Sequence, residues 1–271
     1  MTRTEKEMTF LDHLEELRWH VVRSVVAIFV FSVVAFLASD FVWGTVILGP
    51  TKPDFWTFRM LCRLGDLIGS DVLCVKELDF ILQSRKVTGQ FTMHLTSSAT
   101  IGLICAFPYT FWEVWRFISP GLHAGERKSS RGAVFFVSLL FVLGILFGYY
   151  IITPMSFNFL VNYKVAPEIA NEFDITYYVS FISTLVLACG ILFQIPMITL
   201  FLSKAGIVTP TLLKAYRKHA IVIILFLSAI LTPPDVVSQI LIAIPLSLLY
   251  EVSIIISRRV EKEHLKAMAE A

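Results

Sequence analysis

The sequence predicts an all-α integral membrane protein with six transmembrane helices, the last two short, and both termini in the cytoplasm. Three observations carry that reading. First, 56% of the 271 residues are hydrophobic and 16% are charged, with a mean hydropathy of +0.74. Soluble domains hold roughly 25% charge and 45–50% apolar residues, so this chain lacks the polar surface that water requires. Second, the apolar residues fall in long uncharged blocks rather than amphipathic stripes. Third, lysine and arginine gather in alternate connections between those blocks. No soluble domain of ordinary size fits between them, so residues 1–271 read as a single polytopic membrane domain.

The opening "MTRTEKEMTFLDHLEELRWH" is polar and acidic, without the apolar core and small-residue cleavage site of a signal peptide. The first greasy segment is therefore expected to act as an uncleaved anchor. Thr9 followed by Asp12 has the capping-box pattern in its Asp form. Phe10, Leu14, Leu17 and Val21 recur at helical spacing, so residues 9–20 read as an amphipathic helix on the cytoplasmic surface that turns into span 1. Asp12, Glu15, Glu16 and Arg18 occupy its wet side, either as a solvated charged face or as a binding edge.

Span 1 is placed at 21–39, followed by an extracytoplasmic loop over 40–91. Spans 2, 3 and 4 follow at 92–112, 133–153 and 176–202, each able to supply the ~20 residues that cross a hydrocarbon core. The last apolar run, Ala220 to Tyr250, is interrupted by "TPPD". One helix through it would place Asp235 and two prolines at bilayer depth, which is costly twice over. A hairpin of span 5 (220–232) and span 6 (236–256), with Asp235 in a wet turn, removes both costs and returns the chain to its starting side. Each apolar arm of that hairpin has about fifteen residues, short of a full crossing.

Orientation follows from charge. The N-terminal arm, the segments Glu113 to Arg131 and Lys204 to His219, and the tail from Ser257 hold fifteen of the 23 basic residues; Arg23 makes sixteen. The opposite side has seven, six of them in the 40–90 loop, which also carries six acids. A loop that long translocates with little regard to charge, so the termini face the cytoplasm. In that loop Cys62 and Cys74, with eleven residues between them, are a candidate disulfide in an oxidising compartment. Cys105 and Cys189 lie in apolar blocks and read as small packing residues.

Several chemistries lack a basis. There is no G-x-x-x-x-G-K-[ST], H-E-x-x-H or G-x-S-x-G, so no nucleotide cradle, zinc site or nucleophile elbow is indicated. His13 and His20 share a helical face, which one soluble turn explains better than a metal. No enzyme activity, cofactor, metal or nucleic-acid partner is expected. Three polar features remain. Glu126 stands in "GERKSSR" among Arg127, Lys128 and Arg131, either paired locally or open to a partner's guanidinium. Gln194 in "FQIP" sits at bilayer depth beside Pro196, as interhelical glue or as the lining of a wet groove. The third is Asp235.

"FLDHLEELR", "FPYTFWEVWRFISPGL" with "GERK", "FGYYIITP", "FQIP" and "LTPPDVVSQILIAIPLSLLYE" together, in this order, resemble the signature segments of the TatC family. TatC is the multispanning core of the twin-arginine protein translocase. The resemblance covers nearly the whole chain, weakening over 52–90 and the last dozen residues. The long first loop with two cysteines resembles the variant of Bacteroidota-type members.

The resemblance implies a cup-shaped bundle of six helices in the bacterial cytoplasmic membrane. It implies a protein that receives folded cargo bearing Arg-Arg signal peptides and works in an oligomeric complex with single-span TatA/TatB-type subunits, driven by the protonmotive force. By the same resemblance Glu16 and Glu126 bind the twin arginines, with Arg18, Phe117 and Pro120 beside them. Pro50 matches a proline after span 1, and Asp235 the acid between spans 5 and 6. Many members carry Glu where this chain has Gln194, a group that does not titrate. A six-span permease of an ATP-driven exporter is the alternative, disfavoured by cytoplasmic loops too small for an ATPase-coupling helix.

Overall fold

The structure, a computed structural model, describes residues 10–69, 74, 80–118, 130–166, 168–169, 171–232 and 236–269. Among them the chain runs through α1 (Phe10–Leu37), α2 (Ser39–Phe41), a π-helical turn (Val42–Ile47), a 3-10 turn (Gly49–Thr51) and α3 (Trp56–Ile68). It continues with β1 (Ile81–Gln83), α4 (Gly89–Ile118), α5 (Ser130–Phe147), a π-helical turn (Gly148–Ile152), α6 (Thr153–Asn162) and β2 (Glu172–Asp174). The last elements are α7 (Ile175–Leu192), α8 (Ile195–Lys204), α9 (Pro210–Ala215), α10 (Arg217–Leu231) and α11 (Val236–Ala269). Four stretches have the length and hydropathy to cross a membrane: Leu14–Leu37, Gly132–Asn162, Ile175–Lys204 and Ser238–Glu263.

Where a single domain was expected, the described residues gather into two compact units. One draws on Met1–Ser39 and His94–Leu139, the other on Asp40–Met93 and Leu140–Ala271. α4 and α5 each run unbroken through a unit boundary, so the division follows packing and not a linker.

The first unit is built on α1 and α4. The amphipathic arm and span 1 form one 28-residue helix, not an arm that turns into a span. No Gly or Pro stands between Phe10 and Leu37, so nothing interrupts the hydrogen-bond ladder. α1 and α4 run antiparallel: His20 meets Glu113, Ser32 meets Gly102, and Phe36 stacks on His94 with ring centroids 4.0 Å apart. A Cβ on Gly102 would lie 2.6 Å from the Ser32 backbone nitrogen, so the helices touch there backbone to backbone.

In the second unit, Ile152, Leu185, Cys189, Ile224, Ile242 and Leu246 form the buried core. The 175–204 span is broken at Phe193–Gln194, and Pro196 sits in the first turn of α8. The backbone N–H of Gln194 turns to Ile191 O at 2.9 Å, and its side-chain Nε2 donates to Gly190 O at 3.4 Å. The Gln194 side chain thus covers a carbonyl that its own backbone has left. Cys189 is buried in the core, whereas Cys105 is exposed on α4 and packs against nothing that hides it.

α10 has 15 residues, but α11 has 34, so only one of the final two helices is short. Glu251, which ends the apolar run in the sequence, stands within the helix and pairs with Arg217 at 2.7 Å, and Val252 to Ile256 extend the greasy stretch beyond it. Pro233, Pro234 and Asp235 lie outside the described residues. α10 ends at Leu231, with Thr232 donating N–H and hydroxyl to Ser228 O, and α11 begins at Val236.

The region after α1 also holds structure. β1 and β2 pair in parallel, Ile81 with Glu172 and Gln83 with Asp174, a small exception to the all-α expectation. Asp174 caps α7: the Thr176 N–H donates to it at 2.8 Å and that of Arg85 at 3.1 Å. These bonds, that from Thr176 first, hold its carboxyl below the usual range. Pro50 is fully buried in the 3-10 turn; a Cβ on its neighbour Gly49 would lie 2.9 Å from the Tyr149 hydroxyl, which donates to Val46 O at 2.8 Å. Cys62 and Cys74 are joined in a disulfide with Cα atoms 4.2 Å apart.

The Gly102 contact sets an expectation. Gly102→Ala forces α1 and α4 apart, and overpacking of this kind costs about 1–3 kcal/mol. Thermal unfolding of the purified protein in detergent should show a lowered midpoint; an unchanged midpoint would mean that the two helices do not touch at this level.

Candidate functional site

The site residues in the first unit sit where the ends of α1 and α4 meet. On α1, Glu16, His20 and Ser24 follow one another at i, i+4 spacing, which places them on one face. On α4, Tyr109, Glu113 and Phe117 do the same. His20 joins the two rows: its Nδ1 donates to Glu113 Oε2 at 2.5 Å, and its ring lies 6.0 Å from that of Phe117. A carboxylate only accepts, so Nδ1 carries the proton of that bond. Glu16 is one turn from His20, and Phe117 is one turn from Glu113, so this contact brings the Glu16 and Phe117 ends of the two helices together.

This face corrects the sequence expectation. Leu14, Leu17 and Val21 are exposed, while Glu16 is half-buried and His20 and Ser24 are buried. The helix is inside-out relative to one on a soluble protein. Where the surroundings are lipid, the apolar residues face outward and the polar ones turn inward to find partners. His20 therefore belongs to no soluble turn; it is a buried link between helices. The side chains of Asp12 and His13 lie outside the described residues.

Glu113 is the residue that sequence reasoning missed. It is 1% exposed, a carboxylate enclosed at the end of a span. Besides His20 it accepts from the Tyr109 hydroxyl at 2.9 Å and has Arg23 Nη1 at 3.7 Å. Three partners offset the cost of burying the charge. The available signal was an acid inside "FWEVWRF", with Tyr109 and Phe117 one turn to either side; it was passed over as the edge of a basic cytoplasmic segment.

Glu16 is the opposite case. Among the described residues its side chain makes no hydrogen bond or ion pair. Arg18 pairs with Glu15 at 3.3 Å and lies over the Trp19 ring at 5.5 Å. Both members of that pair are well exposed, so the contact is worth well under ~1 kcal/mol and yields easily. Pro120 and Glu126 lie outside the described residues. Gln194, Pro50 and the Cys62–Cys74 pair belong to the second unit. Among the described residues no three His, Cys, Asp or Glu side chains converge as metal ligands.

The family model "Sec-independent protein translocase protein (TatC)" matches residues 12–245. Curated relatives include the Sec-independent protein translocase protein TatC of Blattabacterium sp. subsp. Periplaneta americana (strain BPLAN), 37% identical, with 97% of this chain and all of that one covered. That of Aquifex aeolicus (strain VF5) is 33% identical, with 96% of this chain and all of that one covered. Two crystal structures of "Twin Arginine Translocase Receptor- TatC" are similar. One has a TM-score of 0.66 and 31% identity, covering 92% of this chain and 99% of that one. The other, in DDM, has a TM-score of 0.70 and 32% identity, covering 90% and 99%.

Removing Glu113 exposes its role. Glu113→Ala leaves buried His20 and the Tyr109 hydroxyl without their acceptor, and an unsatisfied buried polar group costs about 1–3 kcal/mol. Glu113→Gln retains an acceptor and should lose less. Unfolding midpoints of the two variants in detergent check the order; equal losses would mean that the acceptor is not what holds the cluster.

Proposed function

The chain belongs to the TatC family, a multi-pass membrane component of Sec-independent, twin-arginine protein transport, and on that premise we propose that it is the subunit that receives the signal peptide. Glu16 and Glu126 are the carboxylates that take the two arginines. A guanidinium presents a planar fork of donors that a carboxylate accepts in bidentate fashion, a geometry that lysine does not match. Phe117 supplies an apolar wall beside the pair, with Pro120 next to it in the sequence motif. Arg18, held loosely by Glu15, is free to reorient when cationic ligand arrives.

The observation that supports this reading is the His20 to Glu113 link, which holds Glu16, a carboxylate with no side-chain partner among the described residues, beside the Phe117 end of α4. Carboxylates serve a cationic ligand best at the membrane rim. There the pair competes with water but avoids the larger penalty of deep burial.

The wider reading follows from the same proposal. The termini and the site face the cytoplasm of the bacterial inner membrane, as the concentration of basic residues in the arm, two connections and tail supports. Single-span TatA/TatB-type subunits complete an oligomeric complex, and folded cargo crosses at the expense of the protonmotive force. The chain carries no catalytic role. Six spans include α4 and α10 with the four stretches long and apolar enough to cross.

Photocrosslinking tests the proposal. Probes at positions 16 and 126 should both capture an Arg-Arg signal peptide. Truncating one partner of a hydrogen-bonded charge pair costs about 2 kcal/mol or more, so Glu126→Gln should weaken binding by roughly 30-fold. Charge reversal, Glu126→Lys, in a stably inserted protein should abolish the crosslink at position 16. Retention of that crosslink would remove Glu126 from the site.

A further inference from the structure

α3 divides lengthwise into three faces. Thr57, Phe58 and Gly65 are buried against the protein. Arg59, Arg63 and Asp66 form a charged, exposed face. Between these lies an apolar row, Trp56, Met60, Leu64 and Leu67, exposed by 51%, 43%, 45% and 83%. The row spans about three turns, ~17 Å at 1.5 Å per residue. Contiguous apolar surface of this kind on a folded element marks an interaction site and not ordinary exposure.

Where the row begins identifies what covers it. The N-terminal end of α3 is fixed to Tyr150: the Thr57 hydroxyl donates to Tyr150 O, the Phe55 ring stacks on that of Tyr150 at 5.6 Å, and the Trp56 ring meets it edge-on at 5.8 Å. Tyr150 lies within Gly132–Asn162, a stretch able to cross the membrane. The apolar row thus continues from a membrane-crossing helix, through a cluster of Phe, Trp and Tyr rings of the kind that collects at membrane–water boundaries. Arg59 and Arg63 run along one margin of the row, where long cationic side chains reach lipid phosphates while their stems cover apolar surface. The middle of the helix is tied to Cys74 by the Cys62–Cys74 disulfide, and the helix ends at Gly69 in the left-handed conformation (φ +71°).

We propose that α3 is an interfacial membrane anchor, with Trp56, Met60, Leu64 and Leu67 seated among the lipid headgroups and upper acyl chains and with Arg59 and Arg63 on the lipid phosphates. An amphipathic helix lying in the interface buries its apolar face to a depth of ~5–10 Å. The anchor requires only that the chain resides in a membrane; that the leaflet is the outer one follows from the topology proposed above. Its consequence is that α3 lies flat on the bilayer instead of standing free in solution.

The test uses the full chain in nanodiscs of phosphatidylethanolamine and phosphatidylglycerol. In a Cys105→Ala background, nitroxides are attached to Met60→Cys, Leu67→Cys and Asp66→Cys one at a time. Collision with dissolved oxygen, which concentrates in lipid, is compared with collision with a water-soluble nickel chelate. Oxygen should dominate at 60 and 67, and nickel at 66. Nickel dominance at all three positions would put α3 in water and overturn the anchor. Poor access by both reagents at 60 and 67 would mean that protein covers the row, a second copy or another subunit, and would overturn it as well. None of these readings depends on signal-peptide binding, so failure here leaves the proposed function untouched.

Discussion

In hydrocarbon a side-chain hydroxyl has no water to donate to, and this chain supplies the acceptors from within. Hydroxyls fold back along their own helices: Ser24 to His20 O, Ser32 to Ile28 O, Thr199 to Ile195 O, Ser228 to Ile224 O and Ser253 to Leu249 O, each 2.8–2.9 Å. Such bonds also bend helices slightly. At the π-helical turn the pattern stretches by one residue, and Thr153 reaches Gly148 O at 2.8 Å. At the Gln194 break an amide side chain does the same work over Gly190. There the donor falls on the carbonyl that the break has released.

The same constraint separates the two carboxylates in the first unit. Glu113 is enclosed, and its charge survives only because His20, Tyr109 and Arg23 surround it. Those partners leave it little capacity for a ligand. Glu16, half-buried and without a described partner, keeps its lone pairs available. One acid links the two helices, and the other is the one proposed to bind. The division follows from how far each lies from water.

Much of the fold was legible in the sequence. The apolar blocks correspond to helices because a run of uncharged residues in lipid has no other way to satisfy its backbone. The interruption by two prolines and an acid separates α10 from α11 for the same reason. What was not legible came from pairing across the chain. Glu113 reads as a cytoplasmic acid until His20, 93 residues away, is placed against it. α11 reads as short because the apolar run stops at Glu251, although a glutamate does not end a helix and Arg217 lies opposite it. The β1–β2 pair joins two stretches that are unremarkable alone. On the arm, Glu16 was placed on the wet side and His20 in a soluble turn, because the packing of this face against α4 cannot be read from the local pattern. Glu16 itself stood out only through the family motif, since a charged face on an amphipathic arm is ordinary.

The central claim is that a paired guanidinium is held by open carboxylates, one of them Glu16, and not by charge in general. The direct measurement is the affinity of the membrane-inserted protein for an Arg-Arg signal peptide and for its Lys-Lys counterpart, in the unaltered chain and in Glu16→Gln. The account predicts a clear preference for arginine that shrinks in the variant, because bidentate acceptance is lost. An arginine preference of the same size in both proteins would contradict it.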